Sequence, residues 1–392
     1  MKKQLLFIAI AGLFANLASA ADLYVRENGA NGAYSTVTAA ITAAANGDRI
    51  IIKPKAAGAA YIENLTINKS LTFVSETNFE KYILQGNITV APLAGRVVTI
   101  HNANAYNVTI SGATTGGRTT LNVFNSYMIF FDASRANTTA NLSGCTVENE
   151  TGISHGKCTG NILGSLFISS GNDAADTSLA TDDIEIIANI VSYGISNSQK
   201  NYTFKFLNNF LTQGSFNIWA VKNGSTNEIT NNVADTSTNG GGQFGEGVSI
   251  NLGSGNTGNI SIYNNVLTSG NDYVIYNYNA NATVSAYYNM SGVTFLLNNV
   301  ANQGSNTMGD FTVNANSHTV SGANVNAGSP AVEYTDLDLT RNDIGNLGGS
   351  NSWNNYWPAN VGVKPQINYL STPRTINVGT STLNVTGSGY SK

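Results

Sequence analysis

The stretch GNDAADTSLATDDIEI, residues 171–186, gathers Asp173, Asp176, Asp182, Asp183 and Glu185, and Lys200 and Lys205 follow shortly after. In a chain with only 11% charged residues this is the densest source of carboxylate oxygen. Asp173 and Asp176 fall in a Gly- and Ser-rich loop, where such oxygens either close a turn or hold a calcium ion. A second source is Asp336-Leu337-Asp338-Leu339-Thr340-Arg341-Asn342-Asp343. Its spacing makes Asp336, Asp338 and Asp343 candidate calcium ligands. It lacks the bidentate Glu of a complete loop and carries Leu339 where Gly would ease the turn, so the competing reading is a hydrogen-bonded turn with Arg341 pairing a carboxylate.

The two cysteines, Cys145 and Cys158, have no metal-binding spacing, and only His155 lies between them. Zinc chemistry is thereby disfavoured, and in an exported chain the pair reads as a disulfide closing a short loop. Tyr263, Tyr287 and Tyr288 lie on or beside a recurring strand motif, and Tyr273, Tyr276 and Tyr278 follow within one repeat. Outward rings on a sheet can stack on sugar faces, and they also pack routinely against one another.

The elements that must position these groups begin after residue 20. Lys2, Lys3, an apolar run from Leu5 to Ile10 and Ala18-Ser19-Ala20 form a secretory signal peptide with a small-residue cleavage site, giving an exported mature chain from Ala21. No stretch approaches the length of a transmembrane helix. With 42% hydrophobic residues the chain is too apolar for disorder, and a net charge of −4 gives no basic footprint for nucleic acid.

Four short segments, IEIIANIVSY, FKFLNNFLTQ, NEITNNVADT and ISIYNNVLTS, repeat one pattern. Aligning their second amide position gives a column Asn189, Asn209, Asn232, Asn265, continued by Asn289, at gaps of 20, 23, 33 and 24 residues. A period near this value with one enlarged step predicts a solenoid that tolerates loop insertions. Four positions earlier stand Glu185, Lys205, Glu228, Ser261 and Ser285; three positions earlier stand Ile186, Phe206, Ile229, Ile262 and Ala286. Alternation along a strand turns the apolar column inward and the charged one outward. Stacked at about 4.8 Å, the asparagines form a hydrogen-bonded ladder, and their tolerance of left-handed backbone suits them to the bend at which a coil changes sheet. The charged column then reads as an ion ladder on the surface, each exposed pair contributing at most about 1 kcal/mol.

The mature chain opens differently. YSTVTAAITAAANGDRIIIKP places an alanine-rich helix at 35–46, capped by Ser35 or Thr36 and stopped at Gly47, before a strand. An amphipathic helix there would cover the exposed end of a solenoid core.

This helix, NGDRIIIKP, Tyr61, Glu63 and LTINKSLTF together resemble the opening coils of right-handed parallel β-helix proteins of the pectate lyase-like superfamily. SPAVEYTDLDLTRNDIGNLGG is similar to a closing segment of exported bacterial β-helix proteins. The resemblance implies an all-β fold: a right-handed parallel β-helix over 21–349 with an N-terminal capping helix, followed at 350–392 by a small β-rich appendix. The fold itself hosts lyases, hydrolases, adhesins and inert surface proteins.

Lyases of this superfamily pair calcium, held by acidic side chains, with a Lys or Arg base that removes the proton beside a uronate carboxylate. Carried over, Asp173 and Asp176 would be metal-side candidates and Lys205 the candidate base, with Arg135 and Lys200 as further basic partners. The polygalacturonase motifs of the same fold are out of order here: Ser154-His155-Gly156 precedes GND at 171–173 and TDD at 181–183, and no Arg-x-Lys follows. The expectation is therefore a secreted or cell-surface monomer that binds polysaccharide or a cell-surface glycan, or serves as an adhesive scaffold, without chemistry of its own. The alternative is a calcium-dependent uronate lyase.

Overall fold

The computed structural model describes residues 20–356, apart from 78–79, 172–175, 177–182, 237–247, 254–256, 269–272, 279–281 and 293–295. It also describes the strands Gln366–Ser371 and Thr386–Tyr390 by backbone, and Asp183 and Leu296 likewise. Among these residues 13 parallel strands stack into one sheet, from Asp22–Val25 to Asn302–Gly304. Twelve spacings of about 4.8 Å make this face about 58 Å long. Its register places Glu185 beside Lys205, Lys205 beside Glu228, Glu228 beside Ser261 and Ser261 beside Ser285. The inner column Ile186, Phe206, Ile229, Ile262 and Ala286 is buried throughout. The chain is a right-handed parallel β-helix.

The remaining wall is one long bent strand per coil at first, such as Tyr82–Val90, Ala103–Ile110 and Thr146–Ile153, with register shifts at the bend. From Ile190–Val191 onward each bent strand divides in two, for example Phe210–Leu211 and Phe216–Ile218, so the later coils have three faces. All pairings between coils are parallel, so each coil buries its apolar side against the next.

The corner after the first sheet carries the asparagine ladder. Each amide Nδ2 donates to the Oδ1 of the next rung at 2.8–3.0 Å, in the order Asn161, Asn189, Asn209, Asn232, Asn265, Asn289, Asn306. The same Oδ1 also accepts the backbone N–H of the preceding rung at 2.8–3.0 Å. The second Nδ2 hydrogen reaches back to a carbonyl of the earlier coil, as from Asn232 to Phe206 at 2.8 Å. The ladder thus exceeds the predicted five rungs at both ends.

One expectation about this corner needs correction. The ladder residues do not adopt the left-handed conformation; the residues immediately before them do. Gly144, Gly160, Ala188, Asn208, Asn231, Asn264, Tyr288 and Ser305 have φ between 53° and 63°. A left-handed residue swings the chain round and so points the next side chain into the wall, where an amide, with one acceptor oxygen and two donor hydrogens, can bond both to the next rung and to the earlier coil.

The disulfide is likewise corrected: Cys145 and Cys158 are free, buried thiols. Cys158 pairs with Leu142 and Ile186 in the inner apolar column. Cys145 occupies the ladder column instead. Its N–H donates to Asn161 Oδ1 at 2.9 Å and its thiol to the Val123 carbonyl at 3.3 Å, the bond an amide makes on later rungs. Each sulfur is committed to its own column. Burial pushes the Cys145 thiol up to about 12 and raises Cys158 as well.

The helix Val37–Ala43 lies against the first strands, with Thr36 Oγ1 accepting from Ala39 N as its cap. Glu63 accepts from the first-turn N–H groups of Val37 and Thr38 at 2.9 Å, and Lys69 Nζ donates to the carbonyls of Ile41, Thr42 and Ala44. The two charges sit at the ends of the helix where its dipole favours them.

After the last strand of the wall, Thr307–Met308, a hairpin of Phe311–Asn314 with Thr319–Gly322 packs with Ile344 on the outward column Phe210, Val233, Val266 and Met290. The chain then runs back along the ladder corner as a strap. Ser329 N donates to Asn264 Oδ1; Asn231 Nδ2 donates to Asn342 Oδ1 and to the carbonyls of Asp343 and Gly345; Asn208 Nδ2 donates to the carbonyls of Asn346 and Gly348. Trp353 then packs on Ile187, Ala188, Ile190 and Leu207. Finally, Tyr356 lies over Gly160. In each Asn-Asn pair the first residue holds the strap and the second builds the wall. Residues 349 and 350, the expected boundary, lie within this continuous strap. Strands Gln366–Ser371 and Thr386–Tyr390 pair antiparallel.

Candidate functional site

The acidic stretch does not assemble as expected among the described residues. Asp173 and Asp182 lie outside them, as does the Asp183 side chain. Asp176 is buried and saturated. Its Oδ1 accepts from Asn137 N and the Tyr202 hydroxyl, both at 2.9 Å, and lies 3.6 Å from Arg118. Its Oδ2 accepts from Ser154 Oγ at 2.8 Å and Gln199 Nε2 at 3.4 Å. These donors come from different coils, so the Asp176 side chain ties those coils to one another. A carboxylate with so many fixed donors is a structural anchor, costly to break.

Arg118 is the basic partner that sequence reasoning missed. It donates to Tyr202, Thr139 and the Thr138 carbonyl, while the His155 ring lies 4.5 Å from that of Tyr202. Burial pushes the Tyr202 phenol up to about 12 despite Arg118. The one available signal was a lone Arg after Gly116-Gly117 in a charge-poor stretch. Arg135 instead lies 3.8 Å from Asp132. Lys205 stands in the outward row between Glu185 and Glu228, and Lys157 extends that row with a 2.6 Å bond to Glu185. Asp176 is thus joined to Arg118, and no described bond joins it to Arg135, Lys200 or Lys205.

The second acidic segment forms a set of turns. Asp336 accepts from Gly349 N at 2.5 Å and Asp343 N at 2.9 Å, Asp338 from Thr340 N and Oγ1, and Asp343 from Asn326 N. Burial raises the Asp336 pKa against those bonds, whereas the Thr340 hydroxyl lowers that of Asp338. Leu339 takes φ 67° and is exposed. Arg341 donates to the Gly328 and Ala327 carbonyls, the strap backbone standing where a carboxylate partner was expected. Among the described residues, no three His, Cys, Asp or Glu side chains converge as a metal site.

Tyr263 and Tyr287 stack at 5.5 Å on the outer face of the first sheet, and Tyr334 of the strap covers Tyr263 at 5.6 Å and 11°. That stack is filled by the protein itself. Tyr288 is the left-handed corner residue. A second aromatic group, Trp219 with Tyr276 and Tyr278, lies on another face and carries large exposed rings.

No protein-family model matches the chain, and no curated protein matches it. A crystal structure of pectate lyase Pel9A is similar over 85% of this chain and 97% of that one, at 13% identity and a TM-score of 0.36. The class of protein follows from the chain's own strand register, that of a parallel β-helix.

Proposed function

We propose that the protein is exported and acts as a polysaccharide-binding or adhesive β-helix scaffold, a single chain without chemistry of its own. The observation that carries this reading is the repeating outer surface of the first sheet. Its central outward row runs Thr99, Asn122, Asn141, Lys157, Glu185, Lys205, Glu228, Ser261, Ser285 and Asn302 in continuous register. Neighbouring amides bond along it, Asn141 to Asn122 at 2.9 Å and Asn122 to Thr99 at 3.2 Å. A rigid lattice of hydroxyls, amides and paired charges repeating at about 4.8 Å suits a polymer whose own hydroxyl groups repeat along a chain.

The test is affinity electrophoresis of residues 21–392 through gels containing neutral or uronate polysaccharides, with and without calcium. Retardation by at least one polymer is expected. Unretarded migration in every gel would remove the binding role. Release of unsaturated product from a uronate polymer would replace the scaffold reading with that of a lyase.

A further inference from the structure

Trp219, Gly253 and Tyr278 occupy one column on successive coils. Each follows its strand directly, and their N–H groups donate to Asn197, Ile218 and Leu252 carbonyls at 2.8–2.9 Å. The strands below them are in register, Ile218 with Leu252 and Leu252 with Asn277. Trp219 and Tyr278 are therefore two coils apart, about 10 Å. Gly253 makes room for the first of them: a Cβ there would lie 2.7 Å from Trp219 Cε3, so the indole packs against this glycine, one coil on. Trp219 is 46% and Tyr278 60% exposed, and Tyr276 supports Tyr278 at 4.3 Å.

We propose that this shelf is a subsite for an uncharged pyranose chain lying along the helix axis, an inference that rests on the polysaccharide-binding reading above. Exposed rings offer the π faces on which the C–H faces of sugars stack. Two such rings on one column of the wall offer stacking faces to separate units of the same chain. The chemistry of the shelf selects the occupant. Its two columns are Ser196, Asn217, Asn251, Tyr276 and Ser198, Trp219, Gly253, Tyr278, of which Asn217 is buried; none of the eight is charged. A uronate chain would bring carboxylates to columns that carry no counter-charge, whereas hydroxyls meet the half-buried Asn251 amide and the tyrosine phenols. The charged row lies on the other sheet.

The experiment is titration of the mature chain with soluble mannan, β-glucan and xylan oligosaccharides, and with oligogalacturonate as the acidic probe, read by calorimetry and tryptophan fluorescence. A neutral oligosaccharide should bind and shift the fluorescence, and Trp219→Phe should keep affinity but lose most of that shift. Trp219→Ala should weaken binding about tenfold or more. Gly253→Ala keeps both rings but lifts the indole, and should weaken binding similarly; circular dichroism matching the parent shows that the variants fold. Preference for oligogalacturonate overturns the uncharged ligand. Neutral binding unchanged in both Trp219→Ala and Gly253→Ala overturns the shelf and leaves the scaffold reading standing, whereas binding of no glycan overturns both.

Discussion

Replacing Asn232 by Ala tests whether the ladder holds the coils together. Asn232 is fully buried, and its Oδ1 is the acceptor for both the backbone N–H and the Nδ2 of Asn209. Asn209 Nδ2 keeps the Ile186 carbonyl, but its backbone N–H is left without an acceptor in a dry wall. Such an orphan costs about 1–3 kcal/mol, and the vacated amide space adds about 1 kcal/mol, so a loss of about 3 kcal/mol is expected. Asn306, the last rung, is only half-buried, so water can reach the N–H freed by Asn306→Ala, and about 1 kcal/mol is expected there. Asn232→Asp should be worse than Ala at neutral pH, because a buried carboxylate would face Asn265 Oδ1 where a donor now stands. The assay is urea unfolding followed by circular dichroism, comparing midpoints at constant slope. A loss below about 0.5 kcal/mol for Asn232→Ala, or equal losses at both rungs, would refute the reasoning.

Other outcomes follow from the same geometry. Asn208→Gly with Asn231→Gly preserves the left-handed corners but removes six bonds to the strap; protease should then cleave within residues 324–356 while the wall resists, and cleavage at the parental rate would count against the strap. Native protein should show no thiol reactive toward a disulfide reagent and two after unfolding, because burial raises both thiol pKa values; insensitivity of the unfolded chain would restore the disulfide. Burial holds His318 below its usual pKa, edge-on to Phe210 and 6.0 Å from Trp353. The folded state thus binds fewer protons than the unfolded one, so this contribution is complete above about pH 6.5 and lost as pH falls through the depressed value. Hydrogen exchange of the strap should accelerate from pH 7 to 5 beyond its intrinsic pH dependence, and His318→Phe should abolish that excess.

The recurring segments around Asn189 to Asn289 determined the β-helix, the inner apolar column, the ladder and the outward charged row. In a parallel stack the neighbours of a residue lie one period away, so aligning the repeats is equivalent to reading the spatial columns. The capping helix was also present locally, in Thr36 and the alanine run. Rungs Asn161 and Asn306 escaped because they stand 28 and 17 residues from the neighbouring rungs, off the period of 20 to 24 that most of the column keeps. What only the tertiary structure decided has no period. Strap bonds join residues 65 to 140 apart, as between Asn264 and Ser329 or Asn208 and Gly348, and no spacing announces them. The partner of Asp176 was decided by its coming to rest beside Arg118, 58 residues earlier, and the state of Cys145 by its place in the ladder column. The seat of the Trp219 indole likewise depended on a glycine one coil away. Sequence repetition specifies contacts between adjacent coils; contacts made across the stack depend on where non-repeating segments come to rest.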